Sequence, residues 1–446
     1  MERATHRIER TKQLSVLEGA LWAAMNGIGT YFITPFALLL GASPFAVGLL
    51  KSFSTLAGAV GNYLGAWWMQ FEKNRKQLLY KFVMIQALLW IPLALLPLVQ
   101  VYTVLLLIVI YSLITLFGAF VGPAWTSLMC DVVGTKNRGS YFGKRNKVAG
   151  VVELLASLAA GAFLSWMTNN PFIGFGITFI AAFLFRYASA RSFHMHWDPR
   201  FKPKRESLFK MLKLPKDSYL RNLIYLSAGM LFATSIASPF FAVYMLRELN
   251  FGYFDFAIAM AASTLATLIT QPYWGKVIDK RGTRPVLFAT SVLIPFIPLI
   301  WIPANSLLYV IAVQIFSGGV WAGFDLAMFN IVLKIAPRKE LHSYSAHING
   351  LGSLMTFLGG IAGSFLALTV EGTYVGLIGG LQIIFLISAV GRFLVTASTI
   401  TRITPHMSIE GKKFLMRVIT VYPIKGVVAE VAEFQHLLSS IRERIR

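Results

Sequence analysis

Four ionisable residues stand inside stretches that are otherwise apolar: Glu18, Lys51, Glu153 and Asp325. Two polar amides, Asn26 and Gln314, share that setting. A charged group at bilayer depth is expensive, so each is a functional candidate by default. The acids suggest proton chemistry, because a carboxylate holds its proton in dry surroundings and releases it in water. Nucleophilic or metal catalysis is not suggested. The chain has no His-Glu-x-x-His or Gly-x-Ser-x-Gly and no paired acids on one helix face. His194 and His196 lack a companion set of carboxylates or thiols, so they read as part of a solvated linker. No enzyme activity, cofactor or metal is expected.

The elements that hold these residues are long apolar runs. Of 446 residues, 56% are hydrophobic and only 13% charged, a balance that fits repeated spans of about 20 residues. Such runs fall near 15–40, 45–69, 78–98, 101–130, 147–168, 172–193, 221–247, 254–278, 285–303, 306–334, 344–369 and 373–399. This predicts an all-α polytopic membrane protein with twelve transmembrane helices. Glu153 then lies about two turns into helix 5, Asp325 in helix 10, and Lys51 about two turns into helix 2 from the other side. Lys51 shares a face with Thr55, Gly58, Asn62 and Gly65, which should meet another helix or a cavity. Glu18 and Asn26 belong to helix 1 and Gln314 to helix 10. Arg186 and Arg392 fall near the ends of helices 6 and 12 and read as side chains snorkelling to headgroups. Trp22, Trp125 and Trp321 could line a cavity, although packing alone explains aromatics in such helices.

The formal charge of +22 could suggest nucleic acid, but its distribution does not. All but four of the 41 Lys and Arg lie in one alternating set of loops and tails; the exceptions are Lys51, Arg186, Arg247 and Arg392. That asymmetry assigns the basic loops and both termini to the cytoplasm of a multi-pass protein in the cell membrane. The lipid bilayer is the implied partner and nucleic acid is not. Cys130 is the only cysteine, so no intrachain disulfide can form.

The chain divides into a tail, 1–14, a six-helix half, 15–193, a cytoplasmic linker, 194–220, a second six-helix half, 221–400, and an amphipathic tail, 401–446. The halves repeat each other. At an offset of 203, Ser140-Tyr141 falls on Ser343-Tyr344 and Asn146 on Asn349. Ala149, Glu153, Ser157 and Gly161 run every fourth position opposite Gly352, Thr356, Gly360 and Ser364. Small residues so spaced let helices approach closely in lipid.

Between helices 8 and 9 stands Gly275-Lys-Val-Ile-Asp279-Lys-Arg281-Gly282-Thr-Arg284-Pro285. This resembles the G-x-x-x-D-x-x-G-R-[RK] loop of the major facilitator superfamily of secondary transporters. Arg138-Gly-Ser-Tyr-Phe-Gly-Lys-Arg145 also resembles that family's basic loop between helices 4 and 5. The resemblance spans about 15–400 and implies two pseudo-symmetric six-helix bundles. It further implies a gating role for Gly275, Asp279, Arg281, Gly282 and Arg284. Asp279 is then expected to accept hydrogen bonds at the start of helix 5 when the cytoplasmic side closes. In the first half the equivalent stretch carries Met69 in place of the acid, and helix 5 lacks a G-x-x-x-G-P motif.

These features imply a monomeric secondary active transporter of a small-molecule substrate working by alternating access, with protons as the candidate coupling ion. Drug or metabolite efflux and solute uptake remain open alternatives, as do a uniporter with structural acids and a sensor that binds without transport.

Overall fold

A computed structural model of the chain describes residues 2–72, 74–99, 103–134, 138–199, 218–335, 341–370, 372–376 and 378–403. Most of the 194–220 linker and nearly all of the 401–446 tail lie outside them. The described chain is helical almost throughout. Helix α1 spans Glu2–Ile28, α2 Pro44–Trp68, α3 Arg75–Leu98, α4 Thr103–Val133, α5 Arg138–Trp166 and α6 Pro171–Ser192. Helix α7 spans Ser218–Val243, α8 Tyr253–Arg281, α9 Thr283–Trp301, α10 Leu307–Ile335, α11 Leu341–Val370 and α12 Gly380–Ile403. Among the described residues, 11 of these are long and apolar enough to cross a membrane. The remaining one, α1, differs from expectation at both ends. It begins at Glu2, continuing through what was read as a tail. Its apolar part breaks at Thr30–Phe32 before resuming as Ile33–Leu39.

Breaks elsewhere follow proline, which removes a backbone donor and clashes with the preceding turn. Pro123 opens the second segment of α4, and Pro295 sits where α9 bends. Two further boundaries move. The stretch 275–285 is helix on both sides of Gly282, whose φ of +86° makes the whole turn; that backbone shape suits a residue without a Cβ. Residues after α11 form a short antiparallel ribbon, β1 (Tyr374–Val375) with β2 (Ile378–Gly379), so α12 starts at Gly380 rather than near 373.

Two compact units emerge. The first gathers Met1–Lys213, Leu231–Ala261 and Asn349–Ile384; the second holds Leu214–Met230, Ala262–Ile348 and Phe385–Arg446. In the first, Phe82 and Phe120 stack at 4.0 Å between ring centres within a core of Leu79, Val83, Leu128 and Met129. In the second, Trp274 donates its indole N–H to the Gly319 carbonyl (2.8 Å), and Gly323 lies against that same ring.

Within the first unit, the helix ends farthest from the basic loops are joined by a small-residue seam. A Cβ at Gly161 of α5 would stand 2.5 Å from the Cβ of Ala257 on α8. Gly48 and Ser52 of α2 meet Ser364 and Gly360 of α11 with no room for a larger side chain. The repeat seen in sequence is thus a repeat of contact: α5 on α8, α2 on α11. Phe32–Phe256, Phe45–Phe365 and Phe53–Phe357 edge contacts flank it. Arg247 closes its rim by donating to the Ala42 carbonyl (2.7 Å). Lipid tails are as apolar as these surfaces, so close van der Waals contact rather than burial from water holds the seam.

The assignment of sides rests on the basic loops. Single cysteines at Asn169 and Asn305, in a Cys130→Ser background, are expected to react with an impermeant thiol reagent added outside intact cells. A cysteine at Lys204 is expected to react only after permeabilisation. The reverse pattern would invert the orientation.

Candidate functional site

Glu18 is buried within the protein. It is 4% exposed, and its Oε2 accepts from Arg145 Nη2 at 3.2 Å, while Oε1 lies 3.9 Å from Arg186 Nη1. Arg186 does not snorkel. It is 2% exposed, donating from Nε to Gln86 Oε1 (2.7 Å) and from Nη1 to Ser189 Oγ (3.1 Å). Arg145 also donates Nε to the Ser15 carbonyl and stacks over the Trp125 ring, 4.3 Å from its centre. Gly19 makes this possible, because a Cβ there would run into the Arg145 guanidinium. The group lines a cavity of about 240 Å³ within the first unit, together with Trp22, Trp125 and Phe193. Arg392 behaves like Arg186: 1% exposed, it donates to Ser388 Oγ and to the Ile294 carbonyl within the second unit. Both arginines were misread because each also reaches a partner on another helix, Gln86 for Arg186 and the Ile294 carbonyl for Arg392.

The remaining candidates divide. Glu153 is half-buried on α5, and its backbone carbonyl packs against Gly27 of α1. Its carboxylate takes no hydrogen bond or ion pair among the described residues. Arg145, a cation on the same helix, is engaged by Glu18. Asp325 on α10 and Lys51 on α2 are exposed, and their charged ends are likewise unpaired among the described residues. The face Lys51 shares does meet a helix: Gly65 presses on the α4 backbone, Gly58 faces Ala119, and Asn62 reaches Gly122. Asn26 accepts from Thr30 Oγ1 at 3.2 Å, between the last turn of α1 and the break that follows it. Gln314 is half-buried on α10.

The gating stretch sits in the second unit. Asp279 is exposed on the last turn of α8 and makes no hydrogen bond or ion pair among the described residues. Gly275 faces Leu326, and Arg281 is exposed. Arg284 donates Nε to Tyr219 Oη (3.2 Å).

The equivalent turn of the first half carries a network that sequence reading missed. Arg75, with no exposed surface, donates to Asp131 Oδ2 (2.6 Å), to Ser127 Oγ (2.9 Å) and to Asp198 Oδ1 (3.0 Å). Asp198 also accepts from the Lys76 amide, tying the end of α6 to the start of α3. Where the second half has an acid on this turn, the first has a buried base that draws acids from elsewhere. His196, read as solvated, is 2% exposed, and its Nδ1–H donates to the Ser192 carbonyl (2.9 Å). Burial holds its imidazole below the usual value, opposed by that hydrogen bond and by Glu18. His194 stacks on Tyr80, 3.9 Å between ring centres.

The sequence profile of the Major Facilitator Superfamily matches residues 19–236 and again 223–427. None of the curated proteins is similar enough in sequence to be matched to the chain. Among solved structures, a point mutant of the nucleoside transporter NupG shares 13% identity at a TM-score of 0.68, covering 89% of this chain and 99% of that one. A bacterial homologue of the human lysosomal transporter Spinster, inward-facing and occupied, shares 13% at 0.66, covering 90% and 97%. A bacterial homologue of the iron transporter ferroportin, inward-facing, shares 14% at 0.64, covering 89% and 99%. At such identities the likeness is one of fold.

Proposed function

The chain belongs to the Major Facilitator Superfamily, a family of membrane transporters, and from that premise we propose a secondary active transporter that moves a small solute by alternating access. The observation that carries this reading is the pair of unneutralised carboxylates, Glu153 and Asp325, on helices that cross the membrane. Unpaired acids at depth face protein or a water-filled space rather than lipid, and they mark ion pathways. The pseudo-repeat partners of these acids are Thr356 and Gly122, so a scaffold need shared by the two halves does not explain them. Protons are the coupling ion, taken up and released as each acid meets dry and wet surroundings. Lys51, Asn26 and Gln314 are assigned to the polar lining of the same path. Two six-helix bundles, 15–193 and 221–400, rock about it as a monomer in the cell membrane, with both termini cytoplasmic.

The small-residue seam supports an external gate that is shut in this conformation, and the Gly275–Arg284 stretch is assigned to the cytoplasmic gate. Spin labels at Asn169 and Asn250, on turns flanking the seam, test both assignments. Gly161→Val puts methyl groups where Ala257 stands, so the label separation is expected to lengthen. Asp279→Asn weakens cytoplasmic closure and is expected to shift the distribution toward the short distance. Distances unmoved by either change would remove the gating assignment.

A further inference from the structure

We propose that the cavity lined by α1, α3, α4, α5 and α6 binds a small organic carboxylate with an apolar body, its charge seated between Arg145 and Arg186. The charge count points there first. Two guanidiniums face one carboxylate, Glu18, and all three side chains are almost wholly withdrawn from solvent. Uncompensated charge in such surroundings is strongly unfavourable, and a single negative charge would balance it. Glu18 cannot serve both bases: it bonds Arg145 at 3.2 Å but stays 3.9 Å from Arg186, beyond hydrogen-bond reach.

The donors agree. Among the described residues, Arg145 Nη1 and Arg186 Nη2 carry no hydrogen bond and the buried Trp125 indole N–H has no acceptor. Three idle donors call for a group that only accepts, which a carboxylate is and an amine is not. Trp22, Trp125 and Phe193 supply apolar walls. At about 240 Å³ the space would hold roughly eight waters, or one ring bearing a carboxylate. An inorganic anion would leave those walls unfilled. That this carboxylate is the transported solute rests on the transporter reading; its binding does not.

Benzoate is the probe, with benzamide as its uncharged counterpart and inorganic phosphate as an anion without an apolar body. Each is titrated at constant ionic strength into the full-length protein in detergent, with Tm and tryptophan fluorescence followed. Benzoate alone is expected to raise Tm, since a ligand that binds only the folded state stabilises it. Arg186→Gln is expected to weaken benzoate roughly tenfold, as loss of one charge-assisted hydrogen bond would. Glu18→Gln, which removes the internal rival, is expected to tighten it. Trp125→Phe keeps the stacking surface but not the N–H and is expected to weaken binding severalfold, so it carries the test should Arg186→Gln fail to fold. Absence of benzoate binding, equal stabilisation by phosphate or benzamide, or affinity indifferent to both Arg186→Gln and Trp125→Phe would overturn the site. Intact benzoate binding without benzoate counterflow in proteoliposomes would instead count against its being the cargo.

Discussion

Glu153→Gln and Asp325→Asn are each expected to abolish accumulation driven by a pH difference while sparing counterflow of the same solute. The size follows from the driving force. About one pH unit is worth about 1.4 kcal/mol, so one proton carried with each solute supports roughly tenfold accumulation. A variant unable to load the proton should equilibrate solute at the same concentration on both sides. Counterflow needs the helices to rock but no net proton movement, so it should persist near the unsubstituted rate. The structure removes the simplest competing account for Glu153, a static pair with Arg145, because Arg145 is bound to Glu18. Accumulation against a gradient in both variants would show that neither acid is the coupling site.

The second large effect concerns stability. Arg75→Met is expected to destabilise the protein by about 3 kcal/mol, the usual consequence of stripping a buried charge of its partner. Asp198 would be left beside α3 with only the Lys76 amide, and it is itself 7% exposed. Asp131→Asn should matter far less, under about 1 kcal/mol, because that carboxylate is half open to solvent. Thermal unfolding in detergent separates the two: Tm should fall markedly for Arg75→Met and little for Asp131→Asn. Equally small shifts would mean that Arg75 acts through packing alone.

Much of the architecture was legible because membrane helices advertise themselves. A span needs a continuous apolar run, basic residues collect on one side, and a duplicated fold repeats its small-residue spacing. The stripe Ala149, Glu153, Ser157 and Gly161 is such a case, since the contact at Gly161 is what the spacing implied. What could not be read was which side chains meet across the bundle. Arg186 near a helix end looks the same in sequence whether it snorkels or is buried, and its partners Glu18 and Gln86 sit on helices far away along the chain. Arg75 was likewise hidden, because Asp131 and Asp198 reach it only through folding. Helix ends failed for a local reason. A single glycine at positive φ can turn the chain, so Gly282 alone does what a longer loop was expected to do.

The seam between α5 and α8 and between α2 and α11 has an electrical consequence. It is made of glycine and serine backbones and phenylalanine edges, and the cation at its rim, Arg247, is exposed. A membrane potential does work only on charge carried through the field, about 2.3 kcal/mol per elementary charge for each 100 mV. Parting an uncharged seam carries none. The opening of this face should therefore proceed at the same rate in polarised and depolarised membranes. In the proposed transport cycle, any voltage dependence then belongs to the steps that carry solute or a coupling ion.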